Sequence, residues 1–381
     1  MTLESALDRY RLLICIGTGG VGKTTVAAAI AYAAAQRGRR ALVLTIDPAR
    51  ALARALGLTS LGAEQRVAAP VTGVLAAAML DQKRAWDSFV TRHAPTPAIA
   101  AALLGNALYQ RLSTSFAGST EYMAIEETCR LSESGDYDLI VLDTPPAAHA
   151  LDFVNAPERI DRFLAPEVAS WFASPYQALG RTAWRSAGFT ARFLLARLEH
   201  AAGRSTLRDI SEFFVALDTL IDGVIARTRR ARQLLRGGDA AFVLVTAPRQ
   251  LVIDETRALA AKLVAQPTPL AGVIVNRVHP LPAVDPLVAE RELATLGEDA
   301  SARWLQRAWR DVLAEARDER AVIERFAAMI PPSVPLAELA EADHDLHSLL
   351  DIAAIAGALY KPSTATTTPV TAISPPAALS P

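Results

Sequence analysis

One run of the chain, Gly17-Thr18-Gly19-Gly20-Val21-Gly22-Lys23-Thr24, sets glycines, a lysine and a hydroxyl at the spacing G-x-x-x-x-G-K-[ST]. That spacing suits the binding of phosphate. Glycines let backbone N–H groups turn inward around phosphate oxygens, the lysine reaches the outer phosphates, and the Thr24 hydroxyl is a ligand for Mg2+. Thr25 follows, placed to touch the α-phosphate region. Two carboxylates stand at the ends of apolar runs further on, Asp47 after ALVLTI and Asp143 after YDLIVL. Beside a phosphate loop, one such aspartate partners the cation and another orients or deprotonates a water. Asp143 is the candidate Mg2+ partner with Thr24, and Asp47 the candidate for water, with Lys23 stabilising charge. Either aspartate alone would read as a helix cap; two at strand ends beside one loop favour chemistry.

These residues need a sheet edge to bring them together. Residues 11–17 form a short apolar run ending in glycine, a buried strand, and residues 24–36 an alanine-rich helix. Strands follow at 41–46, 74–80, 137–142, 240–246 and 272–276, with helices at 49–56, across most of 83–134 and at 251–264. Apolar runs alternating with helices predict an α/β fold, a mostly parallel sheet with helices on both faces. The stretch 156–236 breaks the alternation and reads as helical, and 286–325 is helical and charged. Residues 1–155 and 237–360 are therefore assigned to a nucleotide-binding α/β domain. Residues 156–236, with parts of 83–134, are assigned to a helical subdomain, and 361–381, rich in Thr, Pro, Ser and Ala, to a disordered tail.

Composition sets limits. The chain has 381 residues, 51% hydrophobic and 21% charged, enough for a large core. Thirty-nine basic and 40 acidic residues leave a net charge of −1, which offers no global basic surface, so no nucleic-acid partner is expected. The two cysteines, Cys15 and Cys129, fit a reducing compartment and no disulfide framework, and no structural zinc site of the usual cysteine spacing is expected. With no signal-peptide pattern and no apolar run near ~20 residues, the chain reads as soluble and cytoplasmic.

GTGGVGKTT, then TIDPARALARALG at 45–57, then YDLIVLDTPPAAHALDF at 137–153, resembles the ArsA/Get3 family of P-loop ATPases with a deviant Walker A loop. These are the arsenite-pump and tail-anchored-protein targeting ATPases. The resemblance covers roughly residues 11–340. It implies a homodimeric, Mg2+-dependent ATPase in which Asp47 activates water. Pro48, Ala49 and Arg50 would continue the first switch, and Asp143, Thr144, Pro145, Pro146 and His149 would form the second. Val275-Asn276-Arg277 resembles the family's adenine-contacting V-N-Q, and the proline-rich turn at 330–335 resembles the other wall of the base pocket. The residues agree: no guanine-reading [NT]-K-x-D segment is present, and the Asn276 amide offers a donor and an acceptor to a base edge. The expected ligands are ATP and Mg2+, and the expected output is movement of a helical subdomain that binds a client protein or membrane partner.

The chain departs from the family at four points. Thr18 replaces the lysine that reaches across the family's dimer, and a hydroxyl cannot neutralise developing phosphoryl charge; Arg50 is a candidate substitute. Two cysteines cannot make a three-thiolate arsenite site. The CxxC dimer zinc motif is missing, and 156–236 contains no methionine. Instead, 168–198 carries Arg181, Arg185, Arg192 and Arg197 among six aromatics with no acid. The departures keep two other readings in play: a low-turnover ATP-binding regulatory switch, and a ParA/MinD-like positioning ATPase.

Overall fold

In a computed structural model, the chain is described over residues 3–47, 51–62, 64–115, 119–145, 213, 216, 219–297 and 299–359. Several sequence-based expectations lie outside these residues: Pro48, Ala49 and Arg50, Pro146 and His149, the arginine–aromatic stretch 168–198, most of the helical subdomain and the tail.

Eight strands form one sheet in the order β3-β4-β2-β5-β1-β6-β7-β8. They are β1 (Leu12–Ile16), β2 (Arg40–Thr45), β3 (Gln65–Arg66), β4 (Val74–Met79), β5 (Leu139–Asp143), β6 (Ala240–Thr246), β7 (Leu270–Val278) and β8 (Leu336–Ala340). All neighbours are parallel except β3 against β4. The helices among the described residues are α1 (Leu3–Arg9), α2 (Lys23–Gln36), α3 (Ala51–Ala55), α4 (Gln82–His93), α5 (Pro97–Gly105), α6 (Ala107–Ser115), α7 (Ser119–Ser134), α8 (Ile221–Arg236), α9 (Gln250–Val264), α10 (Pro286–Ala294), α11 (Ala300–Ala327) and α12 (Leu349–Leu359). The mixed α/β architecture with helices on both sheet faces is the one the alternating pattern predicts, and it matches a P-loop nucleotide-binding fold.

The strand alternation divides the core in two. Leu12, Ile14 and Ile16 of β1 face α7, α8, α9 and α11, while Leu13 and Cys15 face α1, α2 and α12. Parallel strands buried on both faces read as continuous apolar runs, which is why RLLICIG and ALVLTI are legible as strands. α2 carries Ala27, Ala28, Ala29, Ala31, Ala33, Ala34 and Ala35, all buried. Alanine is the strongest helix former, and its small side chain lets this helix lie close against the sheet beneath α12. A separate apolar cluster joins Val90 of α4, Ala100 and Leu103 of α5 and Tyr109 of α6 with Phe213 and Leu220. α8, at the end of the stretch assigned to the helical subdomain, packs Val224, Ala231 and Leu235 into the core beside the sheet. Arg227 of α8 bonds Glu126 (2.9 Å) and Glu133 (2.6 Å) of α7.

The strand order decides where a ligand sits. The chain leaves β1 toward β2 on one side and leaves β6 toward β7 on the other, so the neighbours β1 and β6 mark the switch point of the sheet. Ligands of open α/β sheets bind at the carboxyl ends of strands at such a point.

Candidate functional site

The loop joining β1 to α2 lies at that switch point. Gly17 is packed so tightly that a Cβ there would stand 2.1 Å from the Val245 carbonyl oxygen of β6. Gly22, just before α2, has φ 89°, a left-handed conformation that glycine adopts without strain. A Cβ on Gly22 would also lie 2.3 Å from Asn276 Nδ2. Two of the motif's glycines are thus required by space and by φ, and their sequence spacing records both constraints.

The first turn of α2 points its side chains at the end of β5. Thr24 Oγ1 donates to Asp143 Oδ2 (2.7 Å), and Thr45 Oγ1, from the end of β2, donates to the same oxygen (2.9 Å). The Asp47 N–H donates to Thr45 Oγ1 (3.3 Å). Thr45 therefore links both aspartates. Sequence reasoning passed over it, although a hydroxyl two residues before Asp47 at a strand end was the available signal. Thr144 Oγ1 donates to the Cys15 carbonyl (2.7 Å) and anchors the chain leaving β5 to β1.

Burial sets the electrostatics. Asp143 is 1% exposed, and burial raises its pKa against the lowering effect of the Thr24 and Thr45 hydroxyls and of Lys23. Its Oδ1 has no hydrogen-bond partner among the described residues. A buried carboxylate with a bare oxygen beside a threonine hydroxyl has the oxygen chemistry of a site for a hard divalent cation, which Thr24 and Asp143 could hold. Lys23 is also buried; desolvation lowers its pKa, and its ammonium donates to the Thr18 carbonyl of its own loop (2.8 Å). Thr18 is 4% exposed and its hydroxyl is unpartnered among the described residues. Gly19 and Gly20 are exposed on the rim, Val21 is buried, and Thr25 is half-buried at the start of α2. Both cysteine thiols are buried and their pKa values raised, Cys15 on β1 and Cys129 on α7, so neither is poised for thiolate chemistry.

Asn276 sits near the end of β7, where the β7–β8 register shifts between Val275 and Val278 and Arg277 takes φ 61°. This irregularity leaves Asn276 Nδ2 donating to the Val21 carbonyl of the phosphate loop (2.9 Å). The turn at 330–335 is elsewhere. It leads into β8, and its Pro335 carbonyl accepts the Val273 N–H, so it lies at the amino ends of β7 and β8. The expectation that it walls the base pocket is corrected by the register of a parallel strand. The chain beside Asn276 at the carboxyl edge is the segment after β8, from Glu341 onward.

Residues 10–173 match the family model of anion-transporting ATPases. The chain is 28% identical over 222 residues to ATPase get3 of Aspergillus terreus, covering 57% of this chain and 64% of that protein. It is 26% identical over 293 residues to ATPase ARSA2 of Chlamydomonas reinhardtii (73% and 71%) and 30% identical over 167 residues to ATPase GET3 of Malassezia globosa (43% and 48%). The matches to the Aspergillus and Malassezia proteins span less than two thirds of their lengths.

Proposed function

We propose that this chain, which carries an ArsA/Get3-type ATPase region over residues 10–173, binds ATP at the β1–α2 loop and hydrolyses it with Asp47 orienting the attacking water. The observation that carries the reading is the hydrogen-bonded series Thr24–Asp143–Thr45–Asp47, running from the phosphate loop to the first switch. The backbone of residues 17–25 encloses the phosphates. Lys23 exchanges the Thr18 carbonyl for phosphate oxygens. Thr24 and Asp143 hold Mg2+, which supplies charge neutralisation on the phosphates when bound. Asp47 holds a water in line with the γ-phosphorus, as water-positioning residues do in this chemistry. Asn276 turns from the Val21 carbonyl to the adenine edge.

Loss of the γ-phosphate releases the segments after Asp47 and Asp143. In the sequence, the chain after Asp143 runs into the stretch 156–236 assigned to the helical subdomain, and capture or release of a client or partner there is the output. Hydrolysis takes place in a homodimer, in the cytoplasm.

ATP turnover measured across protein concentrations, beside Asp47→Asn, tests this. Per-protomer activity that rises with concentration and vanishes in the variant supports it. Activity that survives Asp47→Asn removes Asp47 from the mechanism. A second reading is favoured by Thr18, a buried hydroxyl at the loop position where the resembled family carries a lysine: a low-turnover switch in which ATP acts as a conformational ligand. Tight ATP binding with turnover near zero selects it.

A further inference from the structure

A second cluster lies at the same sheet edge and takes no part in the reading above. His279 follows β7 by one residue and Glu341 follows β8 by one, and the Glu341 N–H donates to the Val278 carbonyl (3.0 Å). His279 Nε2 stands 2.9 Å from Glu341 Oε2, and its Nδ1 stands 2.9 Å from Glu319 Oε1 of α11. The other Glu319 oxygen accepts the His279 backbone N–H (2.8 Å), and Glu319 is 7% exposed. Glu315, one helical turn earlier, brings an exposed carboxylate to the same place. One ligand atom from each of His279, Glu315 and Glu319 lies within 4.8 Å of the others.

A neutral imidazole has one N–H and one lone pair. With Nε2–H directed at Glu341, Nδ1 and Glu319 Oε1 face each other lone pair to lone pair at 2.9 Å. Such a contact requires a cation. A proton on Nδ1 satisfies that one pair, yet leaves Glu315 and Glu319 as like charges at i and i+4, an unfavourable spacing on a helix. A divalent ion satisfies all three groups. The remaining features are those of a metal-binding imidazole. A carboxylate on the distal nitrogen fixes the tautomer and raises the basicity of the coordinating one, and the Glu319 carboxylate is held by a backbone N–H. One imidazole and two carboxylates, with no thiolate, suit a first-row divalent ion.

We propose that His279, Glu315 and Glu319 form a binding site for a divalent transition-metal ion, oriented by Glu341 and separate from the Mg2+ position at Thr24 and Asp143. The ion ties the middle of α11 to the end of β7, three residues beyond Asn276. Ligation uses the Nδ1 lone pair, so the imidazole must be unprotonated at that nitrogen when the ion is held.

The test is a Zn2+ titration of EDTA-stripped full-length protein without nucleotide, read by calorimetry and by thermal unfolding. One saturable equivalent and a rise in Tm are expected. Glu315→Gln, at an exposed position that the fold tolerates, should weaken the site at least ~10-fold, and His279→Gln should abolish it. Asp143→Asn should leave it intact, which separates it from the phosphate loop. Absence of saturable uptake overturns the proposal and leaves a proton between His279 and Glu319. Uptake undiminished in Glu315→Gln, or lost in Asp143→Asn, overturns it as well.

Discussion

Asp143 is held in a state that suits a bound cation better than the empty protein. Its carboxylate is buried, its Oδ1 is bare, and its pKa is raised by burial. For an acid whose folded-state pKa is raised, the stabilising form is the protonated one, and that contribution is lost as pH rises through the folded pKa. Burial thus disfavours the charged form of Asp143 in the ligand-free protein. Asp143→Asn should raise Tm without nucleotide by a few degrees while weakening Mg2+–ATP binding more than ~10-fold. Thermal unfolding and equilibrium binding on the same samples check both halves; a variant that loses binding and stability together contradicts the argument. At Gly22, φ 89° and the 2.3 Å approach to Asn276 act in the same direction. Gly22→Ala should abolish ATP binding, and Asn276→Ala should not restore it, because the φ strain remains.

Among the elements, the α7–α8 contact encloses one buried carboxylate. Glu126 is 2% exposed and accepts from Arg227, with Arg92 at 3.5 Å. Removing one member of a buried ion pair costs on the order of 3–5 kcal/mol, so Glu126→Ala should lower the chemical denaturation midpoint strongly. Arg40 and Asp138, which join the starts of β2 and β5, are exposed and should matter less. Arg40 holds Asp138 at a pKa of about 2, so the pair's contribution is present above the ordinary aspartate range and is lost as pH falls from about 4 toward about 2. Arg40→Met should change the denaturation midpoint little at pH 7, and the difference should shrink further as pH falls through about 2. At this scale the sequence was readable where an element is buried and regular. β1, β2, β5 and β6 are apolar runs, and Gly17–Thr24 is a spacing fixed by close contact. It was opaque where the signal is weak or lies in the third dimension. β8 (LAELA) is a half-buried edge strand with a glutamate inside it, and neither α1 nor α12 carries a strong cap or period. The 330–335 turn was assigned to the wrong edge because strand direction, which decides it, is not written in a short motif. Thr45 and the His279 cluster depend on neighbours far apart in sequence.

For the molecule as a whole, the sheet order puts the phosphate loop on β1, the strand with β5 on one side and β6 on the other. β1 is buried along its whole length, with α2 on one face and the α7–α8 layer on the other. Protection from solvent exchange follows local opening, and opening β1 requires separating the sheet at its middle. Its amide hydrogens should be among the slowest to exchange with deuterium, at rates set by global unfolding, while those of the edge pair β3–β4 exchange through local fraying. The loop is in this sense moored to the last part of the protein to come apart. Gly17 and Thr18, which follow β1 directly, inherit that anchorage, so the amide of Gly17, closed against the Val245 carbonyl, should exchange nearly as slowly as the strand before it.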